Sequence, residues 1–514
     1  MINLNFVKNK VSRDIPVYIE GIGNLRPYGL DKEGNNIDSK RLHKESKVLE
    51  SIREALVKAD IKDGMTISFH HHLRNGDYVL NMVLDEIAAY GVRDLTVCAS
   101  SLTDAHEGVL EHIKNGVVTG IQTSGLRGTL GRAISEDGIL KKPVIFRSHG
   151  GRARAIEEGD VKIDIAFIGA PCCDEAGNMN GQKGKSAFGS MGYAMMDAKY
   201  AKKVVAITDN LVEYPACPVS IPENLVDYVV VVESLGDIEK IGAGATRLTK
   251  NPTELLIAEN AAKVIIESGY VKNGFSFQAG SGGAALAVAK YLRDYMRQNN
   301  IKGSFGSGGI TSFMVDMLEE GLFSYLLDVQ TFDAQAAASY LKNDNHIEMS
   351  ASMYANTAGK SCVADKLDIM ILSATEIDTD FNVNVLTAST GVFMGAIGGH
   401  QDTAEGAKLT VAVAPLLRKR IPIVVDKVTT IVTPGENIDV VVTERGIAVN
   451  PRNKELMEAL KGKGLPLVTI EELKNTAEKL TGKPDPAHFG DKIVGLVESG
   501  DGSIIDVVYN VIKD

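Results

Sequence analysis

Several features that would take this chain out of the ordinary globular class are missing from it. Its five cysteines (Cys98, Cys172, Cys173, Cys217, Cys362) are an odd number with no CxxC pair. That suits a reducing cytoplasm better than a disulfide framework. There is no basic excess: the net charge is -11, which excludes a nucleic-acid footprint but leaves room for local basic patches toward an anionic ligand. The start, MINLNFVKNKVSRD, has no apolar core followed by a small-residue cleavage site, which argues against a secretory signal. The longest uncharged stretch of note, 381–401, is broken by Asn382, Asn384, Thr387, Ser389, Thr390 and several glycines, so no membrane span is expected. What is present is ordinary in bulk, with 44% hydrophobic and 24% charged residues, and wholesale disorder is excluded. At 514 residues the chain is long enough for two or three domains. Glycine is the outlier: 51 residues, about 10% against a typical usage of roughly 7%, with no collagen-like period.

From about residue 45, short β-branched runs alternate with helical patterns. MTISF (65–69), LTVCAS (95–100), PVIFRS (143–148), IDIAFIGA (163–170), KVVAIT (203–208) and VDYVVVVE (226–233) read as strands, nearly all apolar. Such runs mean strands buried on both faces, hence a mostly parallel sheet flanked by helices. Between the first two, Val79, Leu80, Val83, Leu84, Ile87 and Ala88 recur at helical spacing until Gly91. The glycine-rich, charged stretch ending in Asn251-Pro252 interrupts the rhythm. The alternation then restarts with a helix over 254–267, a strand GFSFQ (274–278), a helix from Gly283 to about Met296, and strands over 367–374, 409–414, 421–433 and 438–444. This predicts an N-terminal arm over 1–44, a first α/β domain over 45–240, a linker over 241–252, and a second α/β domain over 253–514 with a C-terminal helical appendage.

Glycine clusters fall at expected strand ends in the second domain: Gly280-Ser281-Gly282-Gly283, Gly306-Ser307-Gly308-Gly309, and Gly395-Ala396-Ile397-Gly398-Gly399-His400. Glycine there lets backbone approach a ligand, and a following helix N-terminus offers N–H groups to an anion. Gly280, Gly282 and Ala285 also satisfy the dinucleotide pattern GxGxxA, and tight turns alone would account for the same glycines. His70 and His72 would share a face if the first strand continues, but no third ligand accompanies them, so no metal is assigned. They are read with Arg74 and Asn75 as lining a polar pocket or capping the next helix. Arginines gather at loop positions (Arg74, Arg127, Arg132, Arg147, Arg152, Arg154, Arg445), where guanidinium forks would suit a polycarboxylate. Cys172-Cys173 has no assignable histidine partner and is read as structural.

Taken together, these segments resemble a known family. The stretches Gln278 to Leu292, Gly398-Gly399-His400-Gln401-Asp402, Val441-Val442-Thr443-Glu444-Arg445-Gly446 and Gly169 to Asn178 are similar to the acetyl-CoA hydrolase and CoA-transferase superfamily. Ser68 to Asp77, Ser124-Gly125-Leu126-Arg127-Gly128 and Arg147 to Arg154 resemble the citrate lyase alpha chains within it. The resemblance implies two tandem CoA-transferase-like domains. It also implies transfer of a thioester carrier from acetyl-S-carrier to citrate, giving citryl-S-carrier and acetate. It further implies an oligomeric enzyme with a beta chain that cleaves citryl-S-carrier and an acyl-carrier gamma chain bearing a phosphoribosyl-dephospho-CoA arm. Free acetyl-CoA would substitute for the carrier, and no cofactor would be bound permanently. Where related hydrolases and transferases carry a nucleophilic glutamate, this sequence reads Ile310-Thr311-Ser312-Phe313, which points away from a glutamyl-thioester.

On that reading Ser312, Gly309 and Gly283 supply oxyanion donors, and Glu444 is the carboxylate to watch as an alternative nucleophile. Arg74, Arg152 and Arg445, with His72 and His400, are the candidate citrate ligands. Gly280, Ser281, Gly282, Gly306, Gly308, Gly398 and Gly399 are the candidate contacts to the carrier arm or CoA. The competing readings are a glutamate-dependent acetyl-CoA hydrolase or transferase, a citramalate-specific paralogue, and a sugar-phosphate isomerase or regulatory binder.

Overall fold

The computed structural model describes residues 5–31, 33–35, 46–242, 248–280 and 282–512. The residues up to Ser46 form a unit of their own. Its described part carries two small antiparallel hairpins, Phe6–Lys8 with Asp14–Pro16 and Tyr18–Ile19 with Gly23–Asn24. Much of the expected arm and the 243–247 portion of the expected linker lie outside the described residues.

From Lys47 onward the chain is one compact unit built on two large sheets. The apolar runs explain why. Lys203–Thr208 and Ile165–Ala170 are buried almost throughout and pair in parallel, and a helix covers each crossover. Number the seven main parallel strands of the first sheet in chain order: Thr66–Phe69, Leu95–Ala99, Val118–Thr123, Val144–Phe146, Ile165–Ala170, Lys203–Thr208 and Tyr228–Val231. Their spatial order is then 4-3-2-1-5-6-7. The second sheet repeats that order with Ser276–Ala279, Gly303–Ile310, Phe323–Thr331, His346–Glu348, Ile369–Ser373, Leu409–Val413 and Val440–Thr443. Each copy also sends its chain, after the fifth strand, into a three-stranded side sheet with one antiparallel and one parallel pairing. The turns of these side sheets share a device. Asp174 accepts the Asn178 N–H and side-chain amide, and Asp378 does the same for Asn382.

Three features differ from expectation. The Gly303 stretch, read as a loop between strand and helix, is itself a strand, because Phe323 and Phe332 rings occupy the space where β-carbons would stand at Gly303 and Gly309. The 421–433 run forms only the short strands Ile421–Pro422 and Val424–Val425, and the charged Asp426-Lys427 pair follows them. The helical appendage is real at Lys454–Leu460 and Ile470–Thr481, but the chain then returns to the first sheet. Phe489–Glu498 pairs in parallel with Val144–Phe146, and Ile504–Val511 closes an antiparallel hairpin outside it. Buried Glu498 anchors this hairpin, accepting from Arg147 at 2.7 Å and Arg154 at 3.0 Å. Two members of the loop arginine group, neither of them among the candidate citrate ligands, thus pair with a buried carboxylate of the fold.

The carboxyl ends of the two sheets meet. Ser148 Oγ donates to Asp402 Oδ1 at 2.5 Å, and the Gly150 N–H donates to its other oxygen at 2.9 Å. The His149 N–H donates to the Gly398 carbonyl at 2.8 Å, and the Ile397 N–H donates to the Ser124 carbonyl at 2.7 Å. Glycine permits this approach: a β-carbon on Gly150 would stand 1.7 Å from the Ala355 carbonyl oxygen. Part of the glycine excess thus belongs to the seam between the halves.

Candidate active site

In both sheets the strand order reverses between the first and fifth strands, and ligands gather at such points beyond the carboxyl ends. Here two reversal points face one another across a cleft of about 380 Å3. The first sheet contributes His71, Arg74, Arg127 and His149, and Tyr193 joins them from a following helix; the second contributes Gln278, Gly280, Gly282, Gly309, Gly398, Gly399, His400 and Arg418. No Asp, Glu or Cys lines the cleft among the described residues.

The cations are distinctive because none of them makes an ion pair among the described residues, although the Asp104 charge acts on Arg127. Arg74 opens the short 3-10 turn Arg74–Gly76 in a left-handed conformation, φ +53°, with its guanidinium 4.6 Å above the Phe332 ring. Its Nη1 is sealed from solvent without a partner. Burial, and then the Arg127 charge, lowers the Arg74 pKa; burial likewise lowers that of Arg127. A half-buried guanidinium without a carboxylate is costly, so Arg74, with the exposed Arg127 beside it, describes a site prepared for an anion.

Neutral donors stand beside them. Ser100 Oγ accepts the His71 N–H at 3.1 Å and lies 2.6 Å from His71 Nδ1. In the tautomer in which the hydroxyl gives its proton to Nδ1, the ring keeps its own on Nε2. His71 and His149 rings stack with Tyr193 at centroid distances of 5.5 and 4.3 Å. Burial holds both imidazoles neutral, His71 well below its ordinary value and His149 down to about 3. Gln278 Nε2 donates to the Tyr354 hydroxyl at 2.7 Å, which leaves the tyrosine proton for a ligand. The helix Gly283–Asn299 begins with no side-chain cap immediately after Gly282. Its first N–H groups add a positive end to the cleft wall.

The structure sorts the residues expected from sequence. Arg74, Gly280, Gly282, Gly309, Gly398, Gly399 and His400 line the cleft. His400, however, has both nitrogens engaged, Nδ1 with Thr433 Oγ1 at 2.6 Å and Nε2 with the Ser373 carbonyl at 3.1 Å. His72 points away, stacked on Phe188 at 4.8 Å, and the neighbouring His71 takes the cleft position. Arg152 is buried in a bidentate pair with Asp197, 2.7 Å on each arm. Arg445 is largely exposed and lies outside the cleft, as does Glu444, whose carboxylate accepts the Leu416 N–H at 2.9 Å. Ser312 and Gly283 are first residues of helices and do not line the cleft; the Ser312 N–H is taken by Asp333 at 2.8 Å. Gly306 makes room for Met314, and Gly308, φ +98°, for the Gln278 amide. Ser281 lies outside the described residues. His149, Tyr193, Gln278, Tyr354 and Arg418 were not singled out from sequence; the ligand-facing ends of seven strands in each copy are the signal that gathers them.

Fold and cleft together define a CoA-transferase-like α/β protein whose two halves enclose a cationic cleft with no carboxylate among its described lining residues. A family profile described as citrate lyase, alpha subunit (CitF) matches residues 45–511, and the chain belongs to that family, the citrate CoA-transferase component of citrate lyase. It is 53% identical over 488 residues to the citrate lyase alpha chain of Klebsiella pneumoniae, covering 95% of this chain and 96% of that one. With the Haemophilus influenzae alpha chain it shares 55% over 471 residues, covering 92% and 94%. A crystal structure of a citrate lyase alpha subunit from Streptococcus mutans in complex with citrate superposes with a TM-score of 0.90 at 54% identity, covering 98% of this chain and 100% of that one. The malonate decarboxylase alpha subunit of Acinetobacter baumannii, 17% identical with a TM-score of 0.64 over 85% of this chain and 88% of that one, shares the fold.

Proposed function

We propose that the cleft holds citrate and an acetyl thioester at the same time and passes the thiol carrier from acetate to citrate without a covalent enzyme intermediate. The observation that carries this reading is the set of unpaired guanidiniums in a cleft with no Asp, Glu or Cys among its described lining residues. Arg74 and Arg127 take citrate carboxylates in bidentate fashion, with His71 Nε2–H and the Tyr354 hydroxyl as neutral donors. A citrate carboxylate oxygen attacks the acetyl carbonyl carbon, and the C–S bond breaks to give a mixed anhydride and thiolate. The thiolate then attacks the citryl carbonyl, the C–O bond to the acetyl group breaks, and acetate leaves. No net proton moves. Both steps build charge on a carbonyl oxygen, for which backbone N–H groups around Gly282 and Gly399 and the uncapped helix end are the preorganised donors. Holding both reactants in one cleft supplies much of the acceleration.

In the cell the thioester would be borne by the CoA-type prosthetic arm of an acyl-carrier gamma chain. A beta chain would cleave the citryl product, within an oligomeric cytoplasmic complex, and free acetyl-CoA would serve in place of the carrier. Citrate is favoured over citramalate because the Streptococcus mutans relative is in complex with citrate. Initial rates with acetyl-CoA and citrate varied together test the mechanism: intersecting lines are expected. Borohydride added after acetyl-CoA alone should leave activity intact. Parallel lines with borohydride inactivation would overturn it in favour of a glutamyl thioester.

A further inference from the structure

The two-residue hairpin between Leu417–Arg418 and Ile421–Pro422 carries three consecutive cations, Arg418, Lys419 and Arg420. All three are exposed, and only Arg418 reaches the cleft, its Nη2 3.4 Å from the Ala374 carbonyl oxygen. None of them makes an ion pair with the described residues. Some surface lysines of this chain are paired, Lys202, Lys203 and Lys408 each within 2.8 Å of a carboxylate; what sets this turn apart is three adjacent cations without a pair, the first of them lining the cleft. Lys419 also sits at the turn in a left-handed conformation, φ +59°, where glycine or asparagine would be less strained. In a chain of net charge -11, a row of unpaired cations leading outward from the cleft marks where a second anionic group lies when the cleft is occupied.

We propose that the turn Arg418–Arg420 grips the phosphate groups of the CoA-type arm that delivers the thioester, a step that rests on the transferase reading above. Citrate occupies the Arg74 and Arg127 end, and the arm enters past Gly280 and Gly282 with its phosphates on the turn. The test compares the full-length wild type with a Lys419→Gly/Arg420→Ser double variant, in which glycine also relieves the left-handed position and so protects folding. Two acetyl donors are used with citrate: acetyl-CoA, and acetyl-pantetheine, which has no phosphate. The double variant is expected to lose about 10-fold in kcat/KM with acetyl-CoA, a few-fold per cation, and to change less than about 2-fold with acetyl-pantetheine. Equal losses with both donors, or no loss with either, would overturn the proposal. Calorimetric binding of desulfo-CoA is the second readout and needs no turnover. Weaker binding by the variant supports the phosphate site even if no transfer to citrate is seen, in which case it is the transferase reading that fails. Unchanged binding sinks the phosphate site whatever the kinetics show.

Discussion

Replacing Arg74 by methionine separates two demands that the wild-type residue satisfies at each other's expense. The guanidinium is half-buried, with Nη1 sealed off and no carboxylate near it, so in the empty enzyme it is a desolvated charge held mainly by the Phe332 face. Losing that cation–π contact costs about 1 kcal/mol. Removing an unsatisfied charged donor returns about 1–3 kcal/mol. Methionine pays the same left-handed backbone cost as arginine, so that contribution cancels. The ligand-free Arg74→Met variant is therefore expected to be as stable as wild type or up to about 2 kcal/mol more stable. Citrate binding moves the other way. A bidentate, charge-assisted contact of about 1.5–3 kcal/mol disappears, and the dissociation constant rises about 10- to 150-fold. Calorimetric titration with citrate and denaturant unfolding with and without citrate measure both sides. The reasoning fails if the variant is clearly less stable while binding citrate as tightly as wild type, because Arg74 would then be a structural residue.

Glu498→Ala leaves Arg147 and Arg154 without their shared buried partner and should cost about 3–5 kcal/mol of stability, read by denaturant unfolding, with KM for citrate unchanged; a raised KM with normal stability would return those arginines to the substrate. Asp402 is pushed up to about 7 by burial, so the folded state binds a proton the unfolded chain has lost, and its contribution falls as pH rises from its ordinary value through about 7. Relative to Asp402→Asn, wild type should lose up to about 1.4 kcal/mol per pH unit over that window, and a pH-independent difference in unfolding free energy would contradict the assignment. Gly308→Ala would place a β-carbon 2.5 Å from the Gln278 amide at φ +98°, so about 1–3 kcal/mol of stability and a lower kcat are expected together; an unaffected kcat would remove Gln278 from the chemistry. Ser312→Ala should keep turnover within about 3-fold, since its side chain is outside the cleft, and near-complete loss with a trapped acyl-serine would refute both the geometry and the mechanism.

Strands that are apolar on both faces were legible directly, and Lys203–Thr208 begins and ends where its β-branched run does. Strands that contain glycine or polar residues were not. Gly303–Ile310 lacks the side chains that advertise a strand, because neighbours fill their space, and Val118–Thr123 is interrupted by Gly120, where Thr96 Oγ1 would stand 2.9 Å from a β-carbon. At the site, reading the histidine run as an extended strand selected His72, whereas the chain turns after Phe69 and delivers His71. The arginines show the same limit on a larger scale. Composition could say that an acidic protein must concentrate cations locally, but it could not say which were already spoken for. Arg147 finds its carboxylate 351 residues along the chain, and Arg152 finds Asp197 45 residues along. Only the fold reveals that Arg74, Arg127 and Arg418 are left over.

The repeated strand order explains how one cleft can serve two chemically different reactants. A single copy of this sheet has one reversal point and one set of carboxyl-end loops. Two copies placed with those ends together present two sets across one cleft, as the proposed simultaneous binding requires. The copies have diverged in what they place there. The first gives side chains with long reach, Arg74, Arg127, His71 and His149, suited to a compact polycarboxylate. The second gives mostly backbone, Gly280, Gly282, Gly309, Gly398 and Gly399, with an uncapped helix end, suited to a carbonyl oxygen and a slender thioester arm. The direct attack proposed above would use this division: no Asp, Glu or Cys lines the cleft among the described residues, and the charge developed on the thioester side would be met by donors that do not compete for citrate. The seam bonds that join Ser148 and Gly150 to Asp402 hold the halves together, and on the proposed mechanism they would set the distance between the reacting carboxylate and carbonyl.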